Sequence, residues 1–180
     1  MQYLALVGTN SVEGSKGIYT VTFSDEKDMQ ITSTVDALNA GFLAVRADKK
    51  YVYATRENMI FRTHACGGIG AYSIGPDGVL SFVNEQDVAG QLPCYVSVDS
   101  AGKYVFVASY LNGCVSIHKI SPDGSVGPVF KVLQHSYAFG IHPSVHCVAV
   151  TPDQKYICVL DVTVHRIVFY DLAQESFAHV

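Results

Sequence analysis

Charge is what this sequence has least of. Asp, Glu, Lys and Arg make up 16% of its 180 residues against 49% hydrophobic, and the formal net charge is −4. That leaves no basic footprint for nucleic acid, and it suits strands buried on both faces. Nowhere do about 18 apolar residues run together, so no segment is expected to span a membrane. The opening MQYLALVGTNS has no basic start and too short an apolar part for a signal peptide, and it reads as a first strand. The five cysteines (Cys66, Cys94, Cys114, Cys147 and Cys158) are odd in number and form no C-x-x-C pair. Neither a disulfide framework nor a structural zinc site is expected from them. Cys147 and Cys158 lie in apolar strand patterns, where a reduced thiol behaves as a small hydrophobe, and a reducing cytoplasm is the expected setting. A G-x-S-x-G elbow is missing, which leaves serine-hydrolase chemistry without support. The glycine-rich CGGIG at 66–70 precedes a strand rather than a helix, so it is no phosphate cradle.

The helical period is missing too, and a longer one takes its place. FLAVRADKKYVYATRE (42–57), YVSVDSAGKYVFVASY (95–110) and CVAVTPDQKYICVLDV (147–162) match one another. Each is an apolar strand, an Asp-containing turn, then Lys-Tyr and a second apolar strand. The Lys-Tyr pairs begin at 50, 103 and 155, in steps of 53 and 52. Between them recur GIYTVTF (17–23), GIGAYSI (68–74), GCVSIHKI (113–120) and HRIVFYDL (165–172). The turns GPDG (75–78) and SPDG (121–124) close two of these into hairpins, Pro presetting φ and Gly supplying positive φ. A period near 50 residues with four short strands marks an all-β fold, the β-propeller, with blades of four antiparallel strands. Two near-equal steps carrying the same turn argue against a β-sandwich with coincidental spacing. At roughly 50 residues per blade the chain holds about three and a half blades, whereas closed propellers have about four to eight. The chain is therefore expected to be a single partial domain over 1–180, the N-terminal half of a longer propeller. Its open blade edges invite self-association.

In order and spacing these pieces resemble the seven-bladed propeller lactonases, the group of propeller-type 6-phosphogluconolactonases and muconate-cyclising enzymes. LVGTNSVEGSKGIYTVTF (6–23) is similar to the family's opening, and YVYATRE (51–57) to its blade end finishing in Asn-Glu. LPCYVSVDSAGKYVFVASY (92–110) resembles the strand ending in Ala-Asn-Tyr. HPSVHCVAVTPDQKYICVLDVTVHRIVFYDL (142–172) resembles Pro-His-x-His, a Pro-Asp-Gly turn and Leu-Gly-x-Asp-Arg. The sequence departs from these motifs at several polar places. Arg56 and Ser109 stand where the family has Asn, Ser144 where it has the first His, and Val162 to His165 replace Leu-Gly-x-Asp. The resemblance implies half of a seven-bladed ring. It also implies hydrolysis of a sugar lactone such as 6-phosphogluconolactone, in carbohydrate metabolism and the pentose phosphate pathway, with no metal or cofactor.

Candidate site residues follow from where polar groups end apolar strands: Arg56-Glu57, Ser109-Tyr110 and Asp161-Val162. Glu57 suits a general base, since a carboxylate withdrawn from water is basic near neutrality. His142 and His146 are four apart, but Pro143 disfavours helix at His142, so they do not form a zinc pair on a helical face. His146 matches the second histidine of the family motif and suits proton transfer or donation to a lactone carbonyl; His142 is expected in a loop. Arg166 matches the family arginine, and its planar fork suits a carboxylate or phosphate. Glu57, His146 and Arg166 are thus expected to be catalytic, and Arg56, Tyr110 and Asp161 to bind substrate. His135 and His165 are weaker loop candidates. The partner is a small lactone or sugar acid, and the rival readings are a non-catalytic binding module and an inactive truncated lactonase homologue.

Overall fold

The computed structural model describes residues 1–11, 13–25, 29–58, 66–138 and 140–180. Those residues form strands and turns without a helix. The strands are β1 (Gln2–Gly8), β2 (Gly17–Ser24), β3 (Gln30–Asp36), β4 (Leu43–Val45), β5 (Tyr51–Arg56), β6 (Gly68–Ile74) and β7 (Leu80–Asp87). They continue with β8 (Pro93–Val98), β9 (Tyr104–Ser109), β10 (Cys114–Ile120), β11 (Val126–Gln134), β12 (Val145–Val150), β13 (Tyr156–Asp161) and β14 (Arg166–Asp171). They pair into four antiparallel sheets of three, four, four and three strands.

The recurrent Lys-Tyr turn has one physical cause. In each copy an aspartate accepts a hydrogen bond from the backbone N–H of the lysine: Asp48 from Lys50 (3.1 Å), Asp99 from Lys103 (2.8 Å) and Asp153 from Lys155 (3.1 Å). This local bond competes with strand continuation and reverses the chain. The GPDG and SPDG turns connect β6 to β7 and β10 to β11, with Gly78 and Gly124 at φ 74° and 81°, where a side chain would be strained.

Strand β4 packs on β8, and β8 on β12. These are the inner strands of their blades, with β5, β9 and β13 one place out. In the first sheet β2 is the counterpart of β6, so β1 to β3 correspond to second, third and fourth strands, and among the described residues no innermost strand joins them. In the last sheet the fourth is missing, apart from one bridge between Tyr170 and His179. The pattern of three and a half four-stranded blades holds.

Alternation along the second strands places the cores. In β5, Val52 and Ala54 pack toward the first sheet and Tyr53 toward the third. In β9, Val105 and Val107 pack back on the second sheet, while Tyr104, Phe106 and Ala108 pack forward on the fourth. In β13, Ile157 and Val159 pack back on the third. Such strands, apolar on both faces, account for the charge-poor composition. Burying each of these side chains stabilises the fold by about 1.5–3 kcal/mol before entropy is counted.

Candidate functional site

The alternation fixes what happens where each second strand ends. Its last residue follows the backward-facing set and lands against the connector from the preceding blade. Arg56, Ser109 and Asp161 hold this position, and all three are buried. The next residue turns toward the mouth of the channel, and in each blade its N–H donates to the connector. Glu57 donates to Asn39 O (3.0 Å), Tyr110 to Leu92 O (3.1 Å) and Val162 to Ser144 O (3.0 Å). Three successive blades thus present one residue each by the same backbone hydrogen bond.

Tyr110 and His146 meet at this mouth. His146, the second residue of β12, is exposed, and its ring meets Tyr110 edge-on at 6.0 Å between centroids. Cys94 on β8 links the two sides. Its thiol donates toward the carbonyls of His146 (3.6 Å) and Val145 (3.7 Å). Burial, and then the nearby Glu57 carboxylate, push that thiol up to about 11, so it is neutral near pH 7. Glu57 is half-buried, and burial alone raises its carboxyl above the ordinary range. Its carboxylate has no hydrogen-bond partner among the described residues, which leaves both oxygens available to a water or a substrate proton. Next to the mouth, the Phe42 and Tyr95 rings lie 4.1 Å apart between centroids, tilted by 31°, with Cys147 beside Tyr95.

Arg56 and Asp161 are placed elsewhere. The Arg56 guanidinium donates to Glu85 Oε2 at 3.0 Å within its own sheet and to Leu38 O at 3.4 Å on the preceding connector. Asp161 accepts from His135 Nδ1 (3.0 Å), Tyr137 Oη (3.0 Å), Ser144 N (3.1 Å) and Thr163 N (3.2 Å). Burial raises its carboxyl, but the donors outweigh it and hold the group below the ordinary range. Both side chains are committed to protein partners. Arg166 opens β14, a third strand. It is exposed, with its guanidinium 5.9 Å from the centre of the Tyr137 ring. It lines a cleft of about 430 Å³ with His135, Tyr137, Tyr170 and His179, a cleft that none of Glu57, Tyr110 and His146 lines. His142 and His165 are exposed in loops.

Two further residues belong to this picture: Cys94 at the mouth and Tyr137 beside Asp161. Cys94 sat in plain view in the Pro-Cys start of an inner strand. Tyr137 carried no signal beyond a polar loop after His135.

The family model described as lactonase, 7-bladed beta-propeller matches residues 4–179. The chain belongs to this family. A 6-phosphogluconolactonase of Bacillus subtilis is 30% identical over 182 residues, which are 95% of this chain and 50% of that one. Among solved structures, a putative 6-phosphogluconolactonase from Bacteroides fragilis superposes with a TM-score of 0.88 at 28% identity, covering 98% of this chain and 50% of its own. A periplasmic gluconolactonase from Pseudomonas aeruginosa follows at 0.87 and 26%, covering 97% and 51%. The chain spans about half the length of the lactonases it matches. Its departures from the lactonase motifs now have places. Arg56 and Ser109 fill the buried exit position, and Ser144 serves Asp161 through its backbone N–H.

Proposed function

We propose that the chain is a lactone hydrolase of the 6-phosphogluconolactonase type, working in carbohydrate metabolism. The observation that carries this reading is a half-buried carboxylate, Glu57, without a hydrogen-bond partner among the described residues, at the same strand-end position as Tyr110 of the next blade, whose ring meets His146. The names of the lactonase relatives support the substrate class.

Lactone hydrolysis adds water to the ester carbonyl and then breaks the ring C–O bond. In this reading Glu57 takes the proton from water as its oxygen bonds to the carbonyl carbon. Tyr110 and His146 donate to the carbonyl oxygen as negative charge develops on it. The ring oxygen leaves with a proton, passed from Glu57 or from His146, to give a hydroxy acid. Arg166, from its neighbouring cleft, holds the acid or phosphate end of the substrate. Arg56 and Asp161 act from behind by fixing the strand exits. The five free cysteines suit a cytoplasmic setting. Following acid release when the purified chain is mixed with 6-phosphogluconolactone tests the reading. A rate above the spontaneous one supports it, and folded protein with no such rate overturns it.

The departures at Arg56, Ser109 and Ser144 favour a second reading, a propeller that binds sugar acids without hydrolysing them. Calorimetric titration with 6-phosphogluconate separates the two, because a binding module binds it yet shows no turnover. Equal affinity in wild type and a His146→Ala, Arg166→Ala double variant would remove ligand binding from this end altogether. The self-association expected of open edges belongs here too. β1 pairs on one side only, and Tyr3 stacks on Phe23 at 5.2 Å with both rings partly exposed. A sedimentation mass independent of concentration at one chain per particle would exclude it.

A further inference from the structure

The Glu57 carboxylate occupies the space where a side chain at position 41 would go. A Cβ built on Gly41 would lie 1.8 Å from Glu57 Oε1, 2.4 Å from its Cδ and 2.9 Å from Oε2. Gly41 is not in the left-handed region, so no backbone demand accounts for glycine there. What the site requires is the missing side chain. The carboxylate lies against the Gly41 main chain without a hydrogen-bond partner among the described residues, so packing alone holds it.

The connector carrying Gly41 is pinned on both sides. Asn39 donates its N–H to Ser11 Oγ (3.0 Å), accepts from Ser11 N at its Oδ1 (3.0 Å) and donates its side-chain amide to Asn58 Oδ1 (2.7 Å). Ala40 is fully buried, and its carbonyl sits where a Cβ on Gly8 would come within 2.1 Å. The Glu57 backbone is tied to the same connector through Asn39 O. A methyl at position 41 therefore cannot be relieved by moving the loop. The element that can give is the end of the Glu57 side chain, the atoms that a Cβ at position 41 would meet.

We infer that Gly41 is a positioning residue: it seats the Glu57 carboxylate in its half-buried place, and any side chain there swings the carboxylate out toward solvent while leaving the fold intact. The inference rests on the reading of Glu57 as the general base, and its test separates the two. Gly41→Ala is compared with wild type by titrating ¹³C-labelled glutamate carboxyls, with Glu57→Gln assigning the resonance, alongside thermal unfolding and lactone hydrolysis across pH. In wild type the Glu57 carboxyl titrates above an ordinary glutamate. In Gly41→Ala it moves down toward the ordinary value, the unfolding midpoint holds, and hydrolysis falls at least about tenfold, as when a general base is misplaced. An unmoved Glu57 titration in folded Gly41→Ala overturns the inference whatever the activity. A moved titration in a protein whose wild type hydrolyses no lactone upholds the seat and removes the hydrolase. Should Gly41→Ala fail to fold, Glu57→Asp withdraws the carboxylate by one methylene without touching the connector. With ¹³C-labelled aspartate its carboxyl is expected at an ordinary aspartate's value, and one still raised above that value counts equally against the inference.

Discussion

Residues 56, 109 and 161 differ from residues 57, 110 and 162 by a single step along the chain, yet they live in different media. The first set is buried against connectors: Arg56 in an ion pair, Ser109 packed where a Cβ on Gly90 would clash, Asp161 under four donors. The second set is tied only by the main chain and leaves its side chains at the mouth. Period-two alternation separates the two sets. The lesson is that one strand end does two jobs, interlocking blades with its first residue and turning its second toward the mouth.

The sharpest way to break this contrast is Asp161→Ala. It strands His135, which is buried, and removes the acceptor for Tyr137 and two backbone N–H groups. A loss of about 3–5 kcal/mol in urea unfolding is expected, the usual cost of breaking a buried pair. Glu57→Gln should do the reverse. Hydrolysis should fall roughly 100-fold, or about 2.7 kcal/mol in the barrier, with stability changed by less than about 0.5 kcal/mol. Arg56→Met should cost about 2 kcal/mol by leaving Glu85 without its guanidinium, and should alter KM and kcat little in the molecules that fold. His146→Ala should lower hydrolysis about tenfold at unchanged stability, since the ring is exposed and meets Tyr110 edge-on.

Acid gives the gentlest test. The Asp161 carboxyl lies below the ordinary range in the folded chain. Its contribution is therefore complete above the unfolded value of about 3.9, and it drains away as pH falls through the lower folded value. Unfolding free energy measured from about pH 6 down to pH 2.5 should drop along that limb in wild type. In Asp161→Asn the drop should be shallower. Equal slopes would mean that Asp161 carries no more weight than a surface carboxylate.

Much of this architecture could be read before any coordinates. The spacing of Lys50-Tyr51, Lys103-Tyr104 and Lys155-Tyr156 located the hairpins because each turn is closed locally, by an aspartate and its neighbours. Strand faces were legible only in part. Both faces of β5 and β9 are apolar, so the alternation that sends Arg56 inward and Glu57 outward leaves no mark in hydrophobicity. The side chains of Arg56 and Asp161, expected to bind substrate, are held by Glu85 and by His135. Those partners lie 29 and 26 residues away, beyond any local pattern. The Tyr110–His146 contact likewise depends on how neighbouring blades fan, which no single repeat encodes. Gly41 was invisible for a simpler reason: a glycine in a connector looks like a turn former until something is found resting on it.

The identical main-chain tethers of Glu57, Tyr110 and Val162 have a practical consequence. A scaffold that anchors its tool-holders by backbone alone lets the tools be exchanged without rebuilding the machine. Position 162, now a valine open to solvent, is the vacant holder. Grafting an acid, an amide or an aromatic there changes the chemistry of the mouth while the tether stays in place.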